Sequence, residues 1–118
     1  DKGHPAKRVF QALRMAVNQE LDSLARALAV AFGRVAIGGR VAIMSYHSGE
    51  DRLGKRELRK LSVSSAPAGL PRELPEHLPS FREITRGAEV ASAEEIASNP
   101  RSASVRLRAG EKVKEVSR

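Results

Sequence analysis

Apolar residues recur at helical spacing through the first third of the chain. At 100° per residue they fall in a stripe about 80° wide, as expected for one face of a helix. Pro5 suits the first turn of such a helix, and Gly33 followed by Gly38-Gly39 suits its end. The pattern predicts one long helix over residues 5–33. The stripe consists of Phe10, Leu13, Val17, Leu21, Leu24 and Leu28.

A short run of mostly apolar residues follows the glycine pair. Residues 40–45 read Arg-Val-Ala-Ile-Met-Ser and show no regular polar alternation. This pattern is typical of a strand that is buried on both faces in a parallel sheet. A helix, a tight turn and a buried strand form half of a βαβ unit, so the predicted fold class is α/β. We expect residues 40–45 to be the most buried strand.

The rest of the chain alternates between charged and turn-rich segments. Residues 51–61 form a predicted basic helix, and the four prolines within residues 62–80 predict a loop. Residues 81–109 are predicted to hold two terminal strands, 81–86 and 103–109, the second with one wet face that suits a sheet edge. A short helix over residues 93–98 separates them, because Ser92 and Glu95 form a capping box. The charged last residues are expected to fray.

Charge and composition narrow the possible partners. The formal net charge is +7, and two basic segments flank the acidic stretch 61–100. Such a balance favours a polyanionic partner, although a merely solubilising surface explains charge alone equally well. The absence of cysteine excludes a disulfide framework and a thiolate zinc site. No apolar run approaches the roughly 20 residues of a membrane span.

The strongest candidate for chemistry follows the predicted strand 40–45. His47 lies directly after this strand, between Ser45 and Ser48, and ligands bind outside the carboxyl ends of strands in open α/β sheets. The alternative is a structurally satisfied histidine in a strand-end loop. Neighbouring His and Ser side chains diverge and no Gly-x-Ser-x-Gly turn occurs, which argues against hydrolysis. The three histidines lie far apart, which argues against a metal site.

A polar stripe flanks the apolar face of the first helix. Its members have long or amide side chains that can donate hydrogen bonds to a polyanion, but a solvated helix face would look the same. They are Arg8, Gln11, Arg14 and Asn18.

Three segments together resemble the RsmH (MraW) family. The first is His-Pro-Ala-Lys-Arg-Val-Phe-Gln-Ala-Leu-Arg at residues 4–14, continuing to residue 21. The second is Gly-Gly-Arg at 38–40 with Ser-Tyr-His-Ser-Gly-Glu-Asp-Arg at 45–52. The third runs from the capping box at residue 92 through Asn-Pro-Arg-Ser-Ala to Arg-Leu-Arg at 106–108. Family members usually carry Phe where this chain has Tyr46 and Leu where it has Gly49.

The resemblance implies the C-terminal portion of a class I (Rossmann-like) methyltransferase core, with about three strands and three helices. It implies methylation of the exocyclic N4 amine of a cytidine in the decoding region of bacterial 16S ribosomal RNA, with S-adenosyl-L-methionine as methyl donor. The glycine-rich cofactor loop of the family lies upstream, so no cofactor-binding residue is expected in these 118 residues, which should be inactive alone. The alternative is a small basic RNA-binding or ribosome-associated module without catalysis.

The resemblance also implies roles for particular residues. His47, Ser45 and Ser48 would position the target base in the catalytic pocket. The expected partners are small-subunit ribosomal RNA or the 30S particle in the cytoplasm, without a metal or a membrane, and a homodimer is left open. The residues expected to contact RNA are Arg8, Gln11, Arg14, Asn18 and Arg52.

Overall fold

The computed structural model describes residues 5–66, 69 and 74–116. Within these residues there are three helices and a three-stranded antiparallel sheet, so the predicted α/β class is confirmed. Two short 3₁₀ turns, Pro75–His77 and Pro100–Ser104, connect the larger elements. The helices and strands are α1 (Pro5–Arg34), β1 (Arg40–Ser45), α2 (Ser48–Ser62), β2 (Phe81–Glu83), α3 (Ala93–Ser98) and β3 (Arg106–Lys112).

Helix α2 begins three residues before the predicted start of the basic helix, directly after the loop that carries His47. In the described part of residues 62–80, the only helical or strand element after α2 is the turn Pro75–His77. Pro67 and Pro71 lie outside the described residues. Residues 103 and 104, predicted as strand, belong instead to the second 3₁₀ turn, and β3 continues to Lys112.

The sheet has the order β1-β3-β2. Strand β3 pairs antiparallel with β1, with Arg40 opposite Glu111 and Ser45 opposite Arg106. It also pairs antiparallel with the short strand β2, where Phe81 faces Lys112. The prediction of a terminal strand at a sheet edge is therefore wrong, because β3 is the middle strand.

Strand β1 is covered on one face only. Ile43 and Ser45 are buried beneath the helices, whereas Ala42 and Met44 on the other face are exposed. The predicted burial on both faces is therefore wrong for the described residues. It is also wrong that β1 is the most buried strand, because every residue of β3 is at least partly buried. The only described strand beside β1 is antiparallel, since β3 closes on it from the far end of the chain.

The core lies between the sheet and the two long helices. Phe32 of α1 meets Phe81 of β2 edge to face, with ring centroids 5.0 Å apart, and Leu28, Ile43 and Leu58 complete the cluster. Helix α2 approaches β3 closely at Gly110, where an added Cβ would lie 2.7 Å from Cδ1 of Leu58. A larger side chain at Gly110 would therefore force the buried side chain of Leu58 to shift.

The first half of α1 extends beyond this core. Phe10, Leu13 and Val17 are more than half exposed, and Phe10 reaches 61 %. Farther along the same stripe, Leu24 packs against the core and Leu28 is buried in it. The apolar stripe is therefore longer than the surface that the described later residues cover.

The segment after β3 is anchored to the fold. The backbone N–H groups of Val113 and Lys114 both donate to the carbonyl of Ser80, and Val116 packs against the core. Lys112 is 1 % exposed, and its ammonium donates to the carbonyls of Gly33 and Val35 at 3.0 and 2.9 Å. The prediction of fraying is wrong for residues 112–116. The bonds to Ser80 and the packing of Val116 hold the segment, and Lys112 satisfies carbonyls at the C-terminal end of α1.

Candidate functional site at the end of β1

The turn from β1 to α2 places His47 at the surface. His47 occupies the position before the first turn of α2, with extended backbone angles of φ −122° and ψ 148°. Its carbonyl accepts the N–H of Asp51 at 3.0 Å, but its side chain makes no capping hydrogen bond. The imidazole is exposed and is not committed to holding the helix end, which leaves it available to a ligand.

The two serines beside His47 lie in different environments. Ser48 is the first residue of α2 and is exposed. Ser45 is only 2 % exposed and lies on the covered face of β1 with Ile43. Ser45 is therefore placed to support the turn from below, whereas Ser48 is placed at the surface.

Two clefts meet at Tyr46 and His47. The larger, about 930 Å³, opens on the uncovered face of the sheet and includes Met44, Val90 and Arg101 in its wall. The smaller, about 650 Å³, lies between α1 and the start of α2 and includes Val17 and Leu21. Both are of a size that accommodates a small ligand. The wall of the larger cleft mixes apolar residues with polar ones such as Glu89 and Asn99.

Gly49 forms part of the wall of the smaller cleft. No heavy atom lies within 4 Å of the place where its Cβ would be. The family that the sequence resembles usually has leucine at this position, and such a side chain would extend into open space there. The glycine therefore enlarges this cleft beside His47.

An ion pair fixes the first turn of α2 against the middle strand. Arg108 of β3 donates from Nε and Nη2 to the two carboxylate oxygens of Asp51, at 2.8 and 3.2 Å. The side chains are 14 % and 21 % exposed, respectively. The hydrogen bonds from Arg108 lower the pKa of Asp51, against the opposing effect of burial, and Asp51 raises the pKa of Arg108. This pair sets the position of α2, and with it the turn that carries His47.

Replacing Asp51 by Asn in the full-length protein should lower the free energy of unfolding at pH 7 by about 2 kcal/mol, since hydrogen bonds to charged groups contribute roughly 1.5–3 kcal/mol. The folded-state pKa of Asp51 is depressed. The contribution is therefore complete above the ordinary pKa of about 3.9 and disappears as the pH falls through the lower folded value. Denaturant unfolding of both proteins across this range measures the difference. Glu50→Gln, in the same helical turn, is the control, and an equal loss there would contradict the assignment.

The polar stripe of α1 lies apart from the two clefts. Arg8, Gln11, Arg14 and Asn18 are all exposed, but the wall of the smaller cleft is formed by other residues of α1 between Val17 and Leu24. Arg52 is exposed on α2 and lines neither cleft. Of the residues expected to hold the base, His47 lines both clefts, whereas Ser45 and Ser48 line neither. The residues expected to contact RNA lie outside both clefts.

Sequence reasoning missed Arg108 and Tyr46. Arg108 pairs with Asp51 from 57 positions away, so no local sequence pattern connects the two residues. Arg108 lies within the Arg-Leu-Arg segment at 106–108, so the family resemblance could have indicated it. Tyr46, where the family that the sequence resembles usually has Phe, lines both clefts.

Within residues 5–66, 69 and 74–116, no group of three or more His, Asp or Glu side chains is placed to hold a metal ion. Across the same described part of the chain, no helix has both the length and the apolar character needed to cross a membrane.

Comparison with known proteins decides the family. The model of the MraW methylase family matches residues 1–113. The chain belongs to this family. The resemblance drawn from the three sequence segments is therefore confirmed.

Curated relatives in this family carry the name ribosomal RNA small subunit methyltransferase H. The protein of that name from Clavibacter michiganensis subsp. michiganensis is 63 % identical over 112 residues, covering 95 % of this chain and 35 % of the relative. The one from Leifsonia xyli subsp. xyli is 61 % identical over 113 residues, covering 96 % and 35 %. For Mycobacterium bovis the identity is 58 % over 111 residues, covering 94 % and 28 %. The chain thus spans about a third of the length of these relatives.

Proposed function

We propose that this chain is part of a longer enzyme that methylates the exocyclic N4 amine of a cytidine in the decoding region of 16S ribosomal RNA. Family membership and the names of the relatives support methylation of small-subunit ribosomal RNA. The observation that carries the role of this chain is the position of His47. Its exposed imidazole lies after β1, where two clefts meet, and is not used to cap α2.

The chemistry of the amine explains why such a site needs positioning residues. The lone pair of a cytidine amine is delocalised into the ring, so the amine is a poor nucleophile. Holding it in line with a methyl donor lowers the entropic part of the barrier. A base inside a helix must leave its stack to reach such a site. We assign His47 and Ser48 to orient the base, and Ser45 to support the turn from its buried side.

The described residues do not fit a cofactor cradle. Family membership suggests S-adenosyl-L-methionine, whose binding would need a glycine-rich strand-to-helix turn. The strand-to-helix turn between β1 and α2 contains no glycine, because Gly49 already lies in the first turn of α2, and Gly38-Gly39 precede a strand rather than a helix. We therefore place the cofactor site in other parts of the longer protein and derive no step through it here.

We assign RNA contacts to the polar stripe of α1 and to Arg52. The four residues of the stripe are exposed, and arginine guanidinium groups suit phosphate oxygens and base edges. The partner would be small-subunit ribosomal RNA, free or in the 30S particle, in the cytoplasm.

Replacing both Arg8 and Arg14 by Gln in the full-length protein should weaken binding to decoding-region RNA and flatten its salt dependence by about 1.4–1.8 units of slope, because each lost phosphate contact removes roughly 0.7–0.9. Filter binding at several salt concentrations measures this slope. Gln19→Ala, at a neutral position of the same helix, is the control. An unchanged slope in the double variant would mean that the stripe is a solvated helix face that does not contact RNA.

The proposed activity is tested with the full-length protein, decoding-region RNA and a labelled methyl donor. Transfer should occur to one cytidine, and mass spectrometry of the digested RNA should place the methyl group on its exocyclic amine. An RNA with uridine at that position should accept no methyl group. Tight RNA binding without any transfer, with either naked RNA or 30S particles, would favour a non-catalytic RNA-binding module.

A further inference from the structure

Helix α2 presents a continuous basic surface on its outer side. Five of its residues are basic and exposed, and at 100° per residue they fall within an arc about 140° wide. The opposite side carries the buried residues Leu53, Gly54 and Leu58. The basic face of α2 consists of Arg52, Lys55, Arg56, Arg59 and Lys60.

The basic face carries more positive charge than its neighbours neutralise. Glu57 is the one carboxylate beside it that forms described ion pairs, with Lys60 at 3.3 Å and Arg56 at 3.4 Å. In the part of the chain that the structure describes, Arg52, Lys55 and Arg59 have no carboxylate oxygen within 4.0 Å. A single carboxylate is therefore shared by two of the five cations.

The helix that carries these charges is held firmly in place. Leu58 is buried in the core, and an added Cβ on Gly54 would lie 3.2 Å from Ile43. The ion pair between Asp51 and Arg108 anchors the first turn. Successive turns therefore present cations at a fixed interval of about 5.4 Å, so little backbone entropy is lost when they meet a row of charges.

We propose that the basic face of α2 binds the phosphate backbone of ribosomal RNA and guides it toward the clefts at His47. This inference rests on the proposed function for the identity of the RNA. The helix begins at the turn that carries His47 and runs away from it, so a strand lying along the face reaches the clefts at one end. The contacts would be to phosphates and independent of sequence, whereas His47 and its neighbours would read the base.

The composition of the face favours RNA over other polyanions. A protein interface normally has an aromatic or apolar anchor at its centre, and the basic face contains only Lys and Arg. A helix that lies on an anionic membrane buries an apolar side in the lipid. The apolar side of α2 is instead packed against the sheet.

The first test removes two charges from the face in the full-length protein. Arg56→Gln combined with Arg59→Gln should weaken binding to decoding-region RNA about fivefold to tenfold at 0.1 M salt and reduce the salt slope by about 1.5. The control, Arg34→Gln combined with Arg86→Gln, loses the same net charge at two exposed positions outside the face. If both pairs weaken binding equally, net charge alone is responsible and the proposal is overturned.

The second test predicts a gain, which a folding defect could not imitate. Glu57→Gln releases Arg56 and Lys60 from their shared carboxylate, so RNA should bind about twofold to fivefold more tightly and with a steeper salt slope. Glu76→Gln, a change of the same charge at an exposed residue outside the face, should have less effect. If the Glu57→Gln variant binds RNA no more tightly than the wild-type protein does, the proposal is overturned.

Methyl transfer measured beside binding separates this proposal from the proposed function. If the wild-type protein methylates the cytidine but neither α2 variant alters RNA binding, the basic face is not an RNA surface and the function stands. If the α2 variants alter binding as expected but no transfer occurs, the surface stands and the function fails. If the α2 variants lose binding to 30S particles but not to naked RNA, the face contacts a ribosomal protein and the proposal is overturned.

Discussion

Replacing His47 by Ala in the full-length protein should lower single-turnover methyl transfer about 10- to 100-fold, which corresponds to roughly 1.4–2.8 kcal/mol of barrier. Binding of decoding-region RNA should change by less than about threefold, because the imidazole makes one contact among many phosphate contacts. The effect should appear in the rate at saturating RNA, since the lost interaction orients the base in the transition state.

The result of this experiment should not be complicated by a loss of stability. The side chain of His47 makes no capping bond to α2, so its removal should leave the stability of the helix nearly unchanged. His47→Gln, which keeps a neutral hydrogen-bonding group, should restore part of the rate, whereas a merely structural role would not show such rescue. Ser98→Ala, an exposed serine of α3 outside both clefts, serves as the control. If the His47→Ala variant transfers the methyl group at the wild-type rate, His47 does not orient the base.

Replacing Lys112 by Met should lower the free energy of unfolding of the full-length protein by about 2–4 kcal/mol. Methionine keeps most of the length of the apolar stem but removes the ammonium, so the carbonyls of Gly33 and Val35 lose a charged donor. The lysine also pairs with Glu115 at 3.3 Å. Because this group joins α1, β3 and the segment after β3, its loss should loosen all three.

Denaturant unfolding measures this effect, and Lys114→Met provides a matched control. Lys114 also donates to two carbonyls, those of Pro75 and Glu76, but these bonds lie at the surface. Water can replace them, so the control should lose less than about 1 kcal/mol. A stability change of Lys112→Met within about 0.5 kcal/mol of zero, the range of ordinary surface substitutions, would contradict the capping role.

The sequence could indicate those features that depend on neighbouring residues. The spacing of Phe10, Leu13 and Val17 predicted α1 because a helix repeats every 3.6 residues. The capping box predicted the start of α3, and the Ser92 hydroxyl indeed accepts the N–H of Glu95 at 3.1 Å. The position of His47 after a strand was also readable, because β1 and the loop that follows it are contiguous in sequence.

Only the tertiary structure decided which strand lies in the middle and which faces are covered. The apolar run 40–45 predicted burial on both faces, yet one face of β1 is exposed because both long helices pack on the other side. The alternating segment that includes Arg106 and Arg108 predicted an edge, yet it pairs with strands on both sides. Periodicity reports how a segment presents its side chains, whereas strand order depends on pairing between distant segments.

Two cations that hold distant elements together, Arg108 and Lys112, were hidden from the sequence for the same reason. Arg108 and Asp51 are 57 positions apart, and Lys112 and Gly33 are 79 positions apart. Lysine and arginine near the end of a chain usually indicate a solvated surface. Here the chain returns to the sheet centre, where a buried cation is stable only because carbonyl and carboxylate oxygens from other elements surround it.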